Sequence, residues 1–418
     1  MSEPMDRLAE TLRRNSMVRF LDHFAQLFPD SHMKDLVVDE LGPDRAMVVG
    51  GRRVVNFGSD SFLGLDQDPR VRAALGRGVA AWGSHNGSSR AFSSVRANVE
   101  AEDRLAGWLK TEAALIYPSV TLANMGAIPA LVGRNDLLVV DEHAHNSIQE
   151  GAKIASANGA RLARFANCDP EALDRVLGSA APRRSTVVAV DGVFSMSGRL
   201  APLAELNAVA LRHGAVLYVD DAHATGTLGA KGRGTVLDAL GSYDNALVVG
   251  SLSKAFSCFG GYVGCGAGMK ELLKMKSSTF IFGGPVPPPY LEAILTVLDI
   301  VESDEYENLR DRLDSNVRLL TGGLTRLGLA VLGGLPPIVS VLVGEEADTL
   351  AAGRFLFDQG YYVQSVVFPA VPYHAGVLRI QANAVHTPGQ ILGLLDALAS
   401  LRRVVALPGP ESLSRTAA

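Results

Sequence analysis

Five short runs of apolar residues lie between residues 113 and 250, and polar residues do not alternate within them. A run without alternation predicts a strand that is buried on both faces, as in a sheet covered by helices. Helix-like segments such as PEALDRVLGSA and LAELNAVALRHG separate the runs. Alternating strands and helices predict an α/β fold with a mainly parallel sheet. The five runs are AALIY (113–117), DLLVVD (136–141), STVVAVD (185–191), AVLYVD (215–220) and ALVVG (246–250).

The beginning of the chain follows a helical pattern. Apolar residues recur at roughly helical spacing from Leu8 to Leu27, which predicts an N-terminal helical arm over residues 1–50. A short apolar segment at 53–57 then predicts a strand. We expect this strand to open a large domain over residues 51–290 that contains the five buried strands.

The pattern changes again after the proline-rich segment 285–289. A long helical pattern continues to about residue 322, and strand-like and helix-like segments follow it. These segments predict a smaller C-terminal α+β domain over residues 291–408. The turn-rich residues 409–418 are predicted to form a disordered tail.

Composition and charge exclude several classes of protein. The 418 residues are 47% hydrophobic and 20% charged, which is typical of a globular protein large enough for two domains. A formal net charge of −5 argues against general binding to nucleic acid or to an anionic membrane. The three cysteines form no CxxC pair, and the N-terminus lacks the apolar run of a signal peptide. We therefore expect a soluble, cytoplasmic protein with reduced thiols.

Reactive side chains follow four of the five predicted strands. In an open α/β sheet, ligands bind beyond the carboxyl ends of the strands, so side chains at these ends are expected to meet at one site. The residues in question are Asp141, His143, His145, Ser147, Asp191, Ser195, Asp220, His223, Ser251, Ser253 and Lys254.

Lys254 and Asp220 each have two interpretations. Lys254 follows an apolar strand. Either its aliphatic part lies along apolar surface while the charged amine reaches water, or the amine itself is partly buried. A buried lysine loses its charge readily, and the neutral amine forms a Schiff base with an aldehyde. Asp220 ends a strand and must meet a cation if it is buried. That cation is either an arginine in the core or the protonated pyridine nitrogen of a cofactor.

The other residues at the strand ends indicate their function less clearly. His143 and His145 form an HxH pair that resembles a metal site, but no matching acidic or thiol set accompanies them, so no metal is predicted. A flat imidazole that stacks on a cofactor ring is the preferred interpretation of His145. Ser251 and Ser253 supply hydroxyl and backbone donors that suit a phosphate group.

Three longer motifs resemble the α-oxoamine synthase family of fold-type I enzymes that depend on pyridoxal 5′-phosphate (PLP). They are DGVFSMSGRLAPL (191–203), VDDAHATGTLGAKGRG (219–234) and GSLSKAFSCFGGY (250–262). The resemblance extends from about Asn56 to Thr387. It implies a decarboxylating Claisen-type condensation of an amino acid with an acyl thioester of CoA or a carrier protein, which gives an α-amino ketone. It also implies a homodimer with the active site at the interface.

The resemblance assigns a role to each candidate residue. Lys254 would carry PLP and move the α-proton, Asp220 would pair with the pyridine nitrogen, and His223 would contact the phenolic oxygen. His145 would stack on the ring and polarise the acyl carbonyl, and Ser195 would lie at the ring edge. The phosphate would bind at Val120, Thr121, Ser251 and Ser253. The substrate amino acid would bind at Arg379, which would hold its carboxylate, and at Asp60.

Several positions depart from the family pattern around the substrate and the phosphate. Asp60-Ser61 replaces an Asn-Asp pair, Gly283-Gly284 replaces Ser-Thr, Ala370 replaces a threonine, and Asn98 lies near the position of a histidine. The departures leave open a PLP-dependent aminotransferase or aldolase-like enzyme. A non-catalytic partner subunit is a third hypothesis, but it would be expected to lose Lys254.

Overall fold

The computed structural model describes residues 3–28, 36–181 and 183–413. The helices within these residues are α1 (Glu3–Arg13), α2 (Ser16–Leu27), α3 (Pro69–Trp82), α4 (Arg96–Leu109), α5 (Val120–Leu131), α6 (Asn146–Ala157), α7 (Pro170–Ser179), α8 (Leu203–Arg212), α9 (Thr235–Leu240), α10 (Ala267–Lys276), α11 (Ser278–Phe282), α12 (Pro288–Glu302), α13 (Glu305–Arg326), α14 (Glu346–Asp358) and α15 (Pro388–Leu401). The strands are β1 (Glu40–Leu41), β2 (Ala46–Val49), β3 (Arg52–Asn56), β4 (Ala113–Tyr117), β5 (Leu137–Asp141), β6 (Arg161–Phe165), β7 (Thr186–Asp191), β8 (Val216–Asp220), β9 (Ala246–Ser251), β10 (Gly261–Cys265), β11 (Val331–Gly333), β12 (Ile338–Gly344), β13 (Tyr361–Tyr362), β14 (Gln364–Val366) and β15 (Gly376–Gln381).

A seven-stranded sheet in the order β4-β10-β9-β8-β7-β5-β6 forms the centre of the molecule. β6, β5, β7, β8 and β9 run parallel, and β10 pairs antiparallel with β9 and β4. The predicted α/β fold with a mainly parallel sheet is therefore confirmed. All five apolar runs are strands of this sheet. In β4, Ala114 and Ile116 pack into one core cluster and Leu115 and Tyr117 into the other, which explains why polar positions do not alternate in this run.

The predicted helical arm extends less far than residue 50. Helix α1 ends at Arg13 and helix α2 ends at Leu27, while residues 46–49 form β2. β2 pairs with β3 across a two-residue turn of Gly50 and Gly51, both of which have positive φ. Glycine adopts this conformation readily, so the Gly-Gly pair between two β-branched segments forms a hairpin.

The C-terminal part contains a second sheet in the order β11-β12-β15-β14, with all its strands antiparallel. The helical pattern predicted to reach residue 322 is two helices, because α12 ends at Glu302 and α13 begins at Glu305. A short 3-10 helix covers Pro410–Ser412, and residues 414–418 of the predicted tail lie outside the described residues. The division of the chain into domains remains a prediction.

The carboxyl ends of β5, β7, β8 and β9 lie side by side in the central sheet, with Asp191 paired in register with Asp220. The predicted strand-end residues are therefore placed along one edge of the sheet. Within the part of the chain that the structure describes, no helix combines the length and the apolar character needed to cross a membrane.

Candidate active site

Lys254 lies in the turn after β9 and contacts a histidine. Its Nζ is 3.3 Å from Nδ1 of His223, which follows β8. Burial lowers the pKa of Lys254, and the carboxylates of Asp60 and Asp220 oppose this effect only in part. Burial also lowers the pKa of His223 well below its ordinary value, and the charge of Lys254 lowers it further. Burial therefore makes the neutral amine, which is the reactive form of a lysine, easier to form than in an exposed lysine.

Asp220 ends β8 as a buried carboxylate, with 4% of its surface exposed. Its Oδ2 accepts a hydrogen bond from Nδ2 of Asn124 at 2.6 Å, and its Oδ1 accepts one from the backbone N–H of Ala222 at 2.9 Å. Both donors are neutral. They satisfy hydrogen bonds without balancing the charge, so the carboxylate is suited to a further, cationic partner.

Asp191 lies beside Asp220 and is also buried. Burial and the charge of Asp220 raise the pKa of Asp191 well above its ordinary value. Its two carboxyl oxygens accept hydrogen bonds from the backbone N–H of His145 at 3.1 and 3.2 Å. Asp191 thus fixes the position at which the half-buried His145 enters the site.

His145 caps the N-terminus of α6. Its Nδ1 is 2.7 Å from the hydroxyl of Ser147 and accepts the backbone N–H of Ser147 at 3.2 Å. Burial lowers the pKa of His145, although the charge of Asp220 opposes the shift. The neutral imidazole is therefore favoured. His143, the other member of the HxH pair, is exposed, so the two histidines occupy different environments.

A cluster of hydrogen-bond donors lies where α5 approaches the sheet. Val120 and Thr121 are the first residues of α5, and their backbone N–H groups precede the hydrogen bonds of the helix itself. The hydroxyls of Ser251 and Ser253 are 2.9 Å apart. A Cβ on Gly261 of β10 would lie 2.3 Å from the amide nitrogen of Val120, so only glycine permits this close approach. A helix N-terminus with adjacent hydroxyls suits an anion.

Arg379 of β15 is buried, and all of its guanidinium nitrogens are engaged. Nε donates to the carbonyl of Ser195 at 2.6 Å, Nη1 to Oε1 of Gln364 at 2.8 Å, and Nη2 to Oδ1 of Asp60 at 3.1 Å. Gln381 also donates to Oδ1 of Asp60 at 3.1 Å. Burial alone would raise the pKa of Asp60, but the charges of Arg379 and Lys254 outweigh it, and that pKa is lowered.

The contacts connect the predicted residues in three groups. Lys254 contacts His223, and Arg379 contacts Ser195 and Asp60. Asn124 joins Asp220 to Ser147 and so to His145. Asn124 was not predicted, although a lone asparagine in the apolar segment VTLANMGAIPAL signals a buried polar partner. Gln364 and Gln381 were also missed, because a glutamine in a strand carries no local signal that names its partner.

The departures from the family pattern lie in three different settings. Asn98 is buried in α4, and its Nδ2 has no hydrogen-bond partner among the described residues. Gly283 and Gly284 directly follow α11, and Gly284 has a positive φ. Ala370 lies in an exposed loop.

The chemistry of these groups fits PLP. The amine of Lys254 suits the aldehyde, the buried carboxylate of Asp220 suits a protonated pyridine nitrogen, and the N-terminus of α5 suits the phosphate. Each of these protein groups can therefore bind the matching part of the cofactor.

Comparisons with known proteins agree with this site. The family model for aminotransferase class I and II matches residues 52–398. An 8-amino-7-oxononanoate synthase from Anaeromyxobacter dehalogenans is 38% identical over 378 residues, which cover 90% of this chain and 93% of that protein. One from Geobacter sulfurreducens is 37% identical, and the match covers 86% of this chain and 92% of that protein. A solved structure of serine palmitoyltransferase from S. paucimobilis, with a bound PLP–myriocin aldimine, has a TM-score of 0.87 and 29% identity, covering 94% of this chain and 99% of that chain.

The chain belongs to the aminotransferase class I and II family, and within that family to the α-oxoamine synthase group. The fold-type I architecture that the motifs predicted is confirmed.

Proposed function

We propose that this protein condenses an amino acid with an acyl thioester, with loss of CO2, and gives an α-amino ketone. It is an acyl-transferring enzyme with PLP as its cofactor. The observation that carries the proposal is the buried amine of Lys254 beside His223, at the sheet edge where Asp220 is buried with only neutral donors. When bound, PLP accepts the electron pair that is left when the substrate loses its α-proton.

Four residues would hold the cofactor ring and move the proton. Nζ of Lys254 would bind the aldehyde of the cofactor, and as a free amine it would take the α-proton of the substrate and later return it. Asp220 keeps the ring nitrogen protonated. His223 donates to the phenolic oxygen, and Ser195 lies at the ring edge.

The phosphate would be held at the N-terminus of α5. The backbone N–H groups of Val120 and Thr121 and the hydroxyls of Ser251 and Ser253 supply the donors. These groups anchor the cofactor by hydrogen bonds and by the helix dipole, independently of the bond to Lys254.

The substrates would lie between Arg379 and His145. Arg379 binds the carboxylate of the amino acid with its planar guanidinium. To do so, Nη2 of Arg379 gives up its hydrogen bond to Asp60. His145 stacks on the cofactor ring and polarises the acyl carbonyl. A CoA or carrier-protein thiol then leaves.

The reaction can be tested with amino acids that carry an isotopic label in the carboxylate. The enzyme is incubated with each amino acid and a panel of acyl-CoA and acyl-carrier-protein thioesters, while free thiol and labelled CO2 are measured. We expect both to appear in equal amounts for one pair. If no pair releases thiol, the proposal is wrong. Transfer of the amino group to a keto acid without thiol release would instead establish an aminotransferase.

Replacing Asp60 with asparagine is expected to lower the KM for the amino acid about fivefold, because a partly exposed ion pair is worth about 1 kcal/mol. The Asp60 carboxylate occupies Nη2 of Arg379 and, with 31% of its side chain exposed, repels an incoming carboxylate. Steady-state kinetics at fixed acyl thioester measure the effect. Asp68→Asn, which removes a partner of Arg70 instead, serves as the control. A higher KM in Asp60→Asn would mean that Asp60 itself binds the substrate.

We also propose a cytoplasmic homodimer with the active site at its interface. Two exposed aromatic side chains support an apolar contact surface: Phe92 is 89% exposed and Phe282 is 84% exposed. Their segments are joined by a hydrogen bond from the hydroxyl of Ser89 to the carbonyl of Ile281. Light scattering that gives the mass of a single chain would refute the dimer.

A further inference from the structure

Asn124 connects two parts of the active site that the proposed function treats separately. It lies on α5 with its side chain fully buried. Its Nδ2 is 2.6 Å from Oδ2 of Asp220 and 2.8 Å from the hydroxyl of Ser147, and the hydroxyl of Tyr218 is 2.8 Å from its Oδ1. The hydroxyl of Ser147 is in turn 2.7 Å from Nδ1 of His145. Three of these contacts form one chain from Asp220 to His145, and the contact of Tyr218 with Asn124 is a branch of it.

The charge of Asp220 fixes the orientation of the Asn124 amide, and with it the direction of the three hydrogen bonds that this amide makes. A carboxylate accepts hydrogen bonds, so the group of Asn124 that faces it must be the amide NH2 and not the carbonyl oxygen. The two protons of that NH2 go to Asp220 and to Ser147. Oδ1 of Asn124 then faces Tyr218, whose hydroxyl donates to it.

The remaining proton of the chain belongs to Ser147. The oxygen of a serine hydroxyl can accept two hydrogen bonds, so the bond from Asn124 alone does not decide whether Ser147 donates to Nδ1 of His145. The backbone N–H of Ser147 can only donate, and it donates to Nδ1 at 3.2 Å. Nδ1 is therefore an acceptor and carries no proton, and the hydroxyl of Ser147 donates its proton to the same nitrogen.

We infer that Asn124 and Ser147 are positioning residues that hold His145 as the neutral tautomer with its proton on Nε2. Nε2 has no hydrogen-bond partner within residues 3–28, 36–181 and 183–413, so this N–H is available to a substrate. The lowered pKa of His145 agrees with a neutral ring. The inference rests on the proposed function in one respect: it makes His145 a donor to a carbonyl or carboxylate oxygen and excludes it as the base.

The protonation of His145 can be read directly by NMR. The holoenzyme is labelled with 15N-histidine, and two-bond 1H–15N spectra distinguish a protonated ring nitrogen from an unprotonated one. The signals that disappear in His145→Gln belong to His145. We expect an unprotonated Nδ1 and a protonated Nε2 in the wild-type protein. A proton on Nδ1, or on both nitrogens, overturns the inference.

Variants test the part played by the chain of hydrogen bonds. Ser147→Ala and Asn124→Ala are expected to mix the two tautomers and to lower kcat about tenfold, because a donor to the developing charge is lost in part of the population. KM for the amino acid should change less than about threefold. Ser147→Thr keeps the hydroxyl and should restore both the wild-type spectrum and kcat. If Ser147→Ala retains the pure Nε2–H tautomer, the two residues do not position His145.

Failure of this inference differs from failure of the proposed function. Thiol and CO2 release by the wild-type enzyme tests the function, whereas the spectrum tests the tautomer. A proton on Nδ1 in an enzyme that releases both products refutes only the inference. The predicted tautomer in an enzyme that releases neither product refutes only the condensation.

Discussion

Replacing Lys254 with alanine is expected to reduce thiol release at least about 10³-fold, because one change removes both the covalent bond to the cofactor and the group that moves the α-proton. No described residue duplicates the amine: the nearest polar group, Nδ1 of His223 at 3.3 Å, belongs to a ring whose burial disfavours the protonated form. Thiol release at saturating substrates measures the effect.

The attachment of PLP shows whether the loss of thiol release comes from the missing covalent bond. In the wild-type protein, borohydride reduction and peptide mass spectrometry should find PLP attached to Lys254, whereas the alanine variant should yield no peptide with attached PLP. Lys153→Ala, which removes an exposed lysine paired with Glu150, should keep the covalent attachment and the activity. A Lys254→Ala variant that keeps its activity, or that attaches PLP at another lysine, would contradict the assignment.

The rate of cofactor binding should also depend on pH in a way that reflects the buried amine of Lys254. Burial lowers the pKa of Lys254 below its ordinary value of 10.5, so the neutral fraction of its amine at a given pH exceeds that of an exposed lysine. The rate at which the apoenzyme binds PLP should rise with pH and level off below the pH at which an exposed lysine titrates. A rate that follows an ordinary lysine would show that burial does not activate Lys254.

Five of the seven strands of the central sheet could be predicted from the sequence, because the burial of each strand is visible in its own residues. A run such as AALIY is apolar at every position when both faces of the strand are covered, and it needs no partner to be recognised. The two strands that the pattern missed show the limit of the argument. β6 lies at the sheet edge, contains two arginines among its five residues, and is mostly only half-buried, while β10 contains two glycines.

The site was predictable where residues follow strands and was not where they depend on tertiary contacts. Lys254, Asp220 and His223 come directly after apolar runs, so the rule on strand ends applies to them. The position of Asn124 depends on how α5 packs against β8, and nothing in its local sequence specifies Asp220 as its partner. The engagement of Arg379 by Gln364 likewise requires the register of β14 against β15, which the sequence does not reveal.

Replacing Asp220 with asparagine is expected to slow removal of the substrate's α-proton about 10²-fold, because the variant lacks the charge that keeps the pyridine nitrogen protonated. The amide has nearly the same shape but only one oxygen, so it can accept from the backbone N–H of Ala222 or from Asn124 but not from both. The fold and the binding of PLP through its phosphate should still be retained. NMR in deuterated water measures the step by itself, as the loss of the α-proton signal of the amino acid without an acyl thioester.

The neighbouring Asp221 provides a matched control for this prediction. Its buried carboxylate accepts from the backbone N–H of Thr235 at 2.7 Å at the start of α9, and burial raises its pKa to about 6. Asp221→Asn should therefore lower stability but leave the exchange rate per folded molecule within about twofold. A PLP analogue methylated at the ring nitrogen carries a permanent positive charge and should restore much of the exchange in Asp220→Asn. If the analogue gives no gain, or if both variants lose exchange equally, Asp220 acts through the fold and not through the charge of the ring.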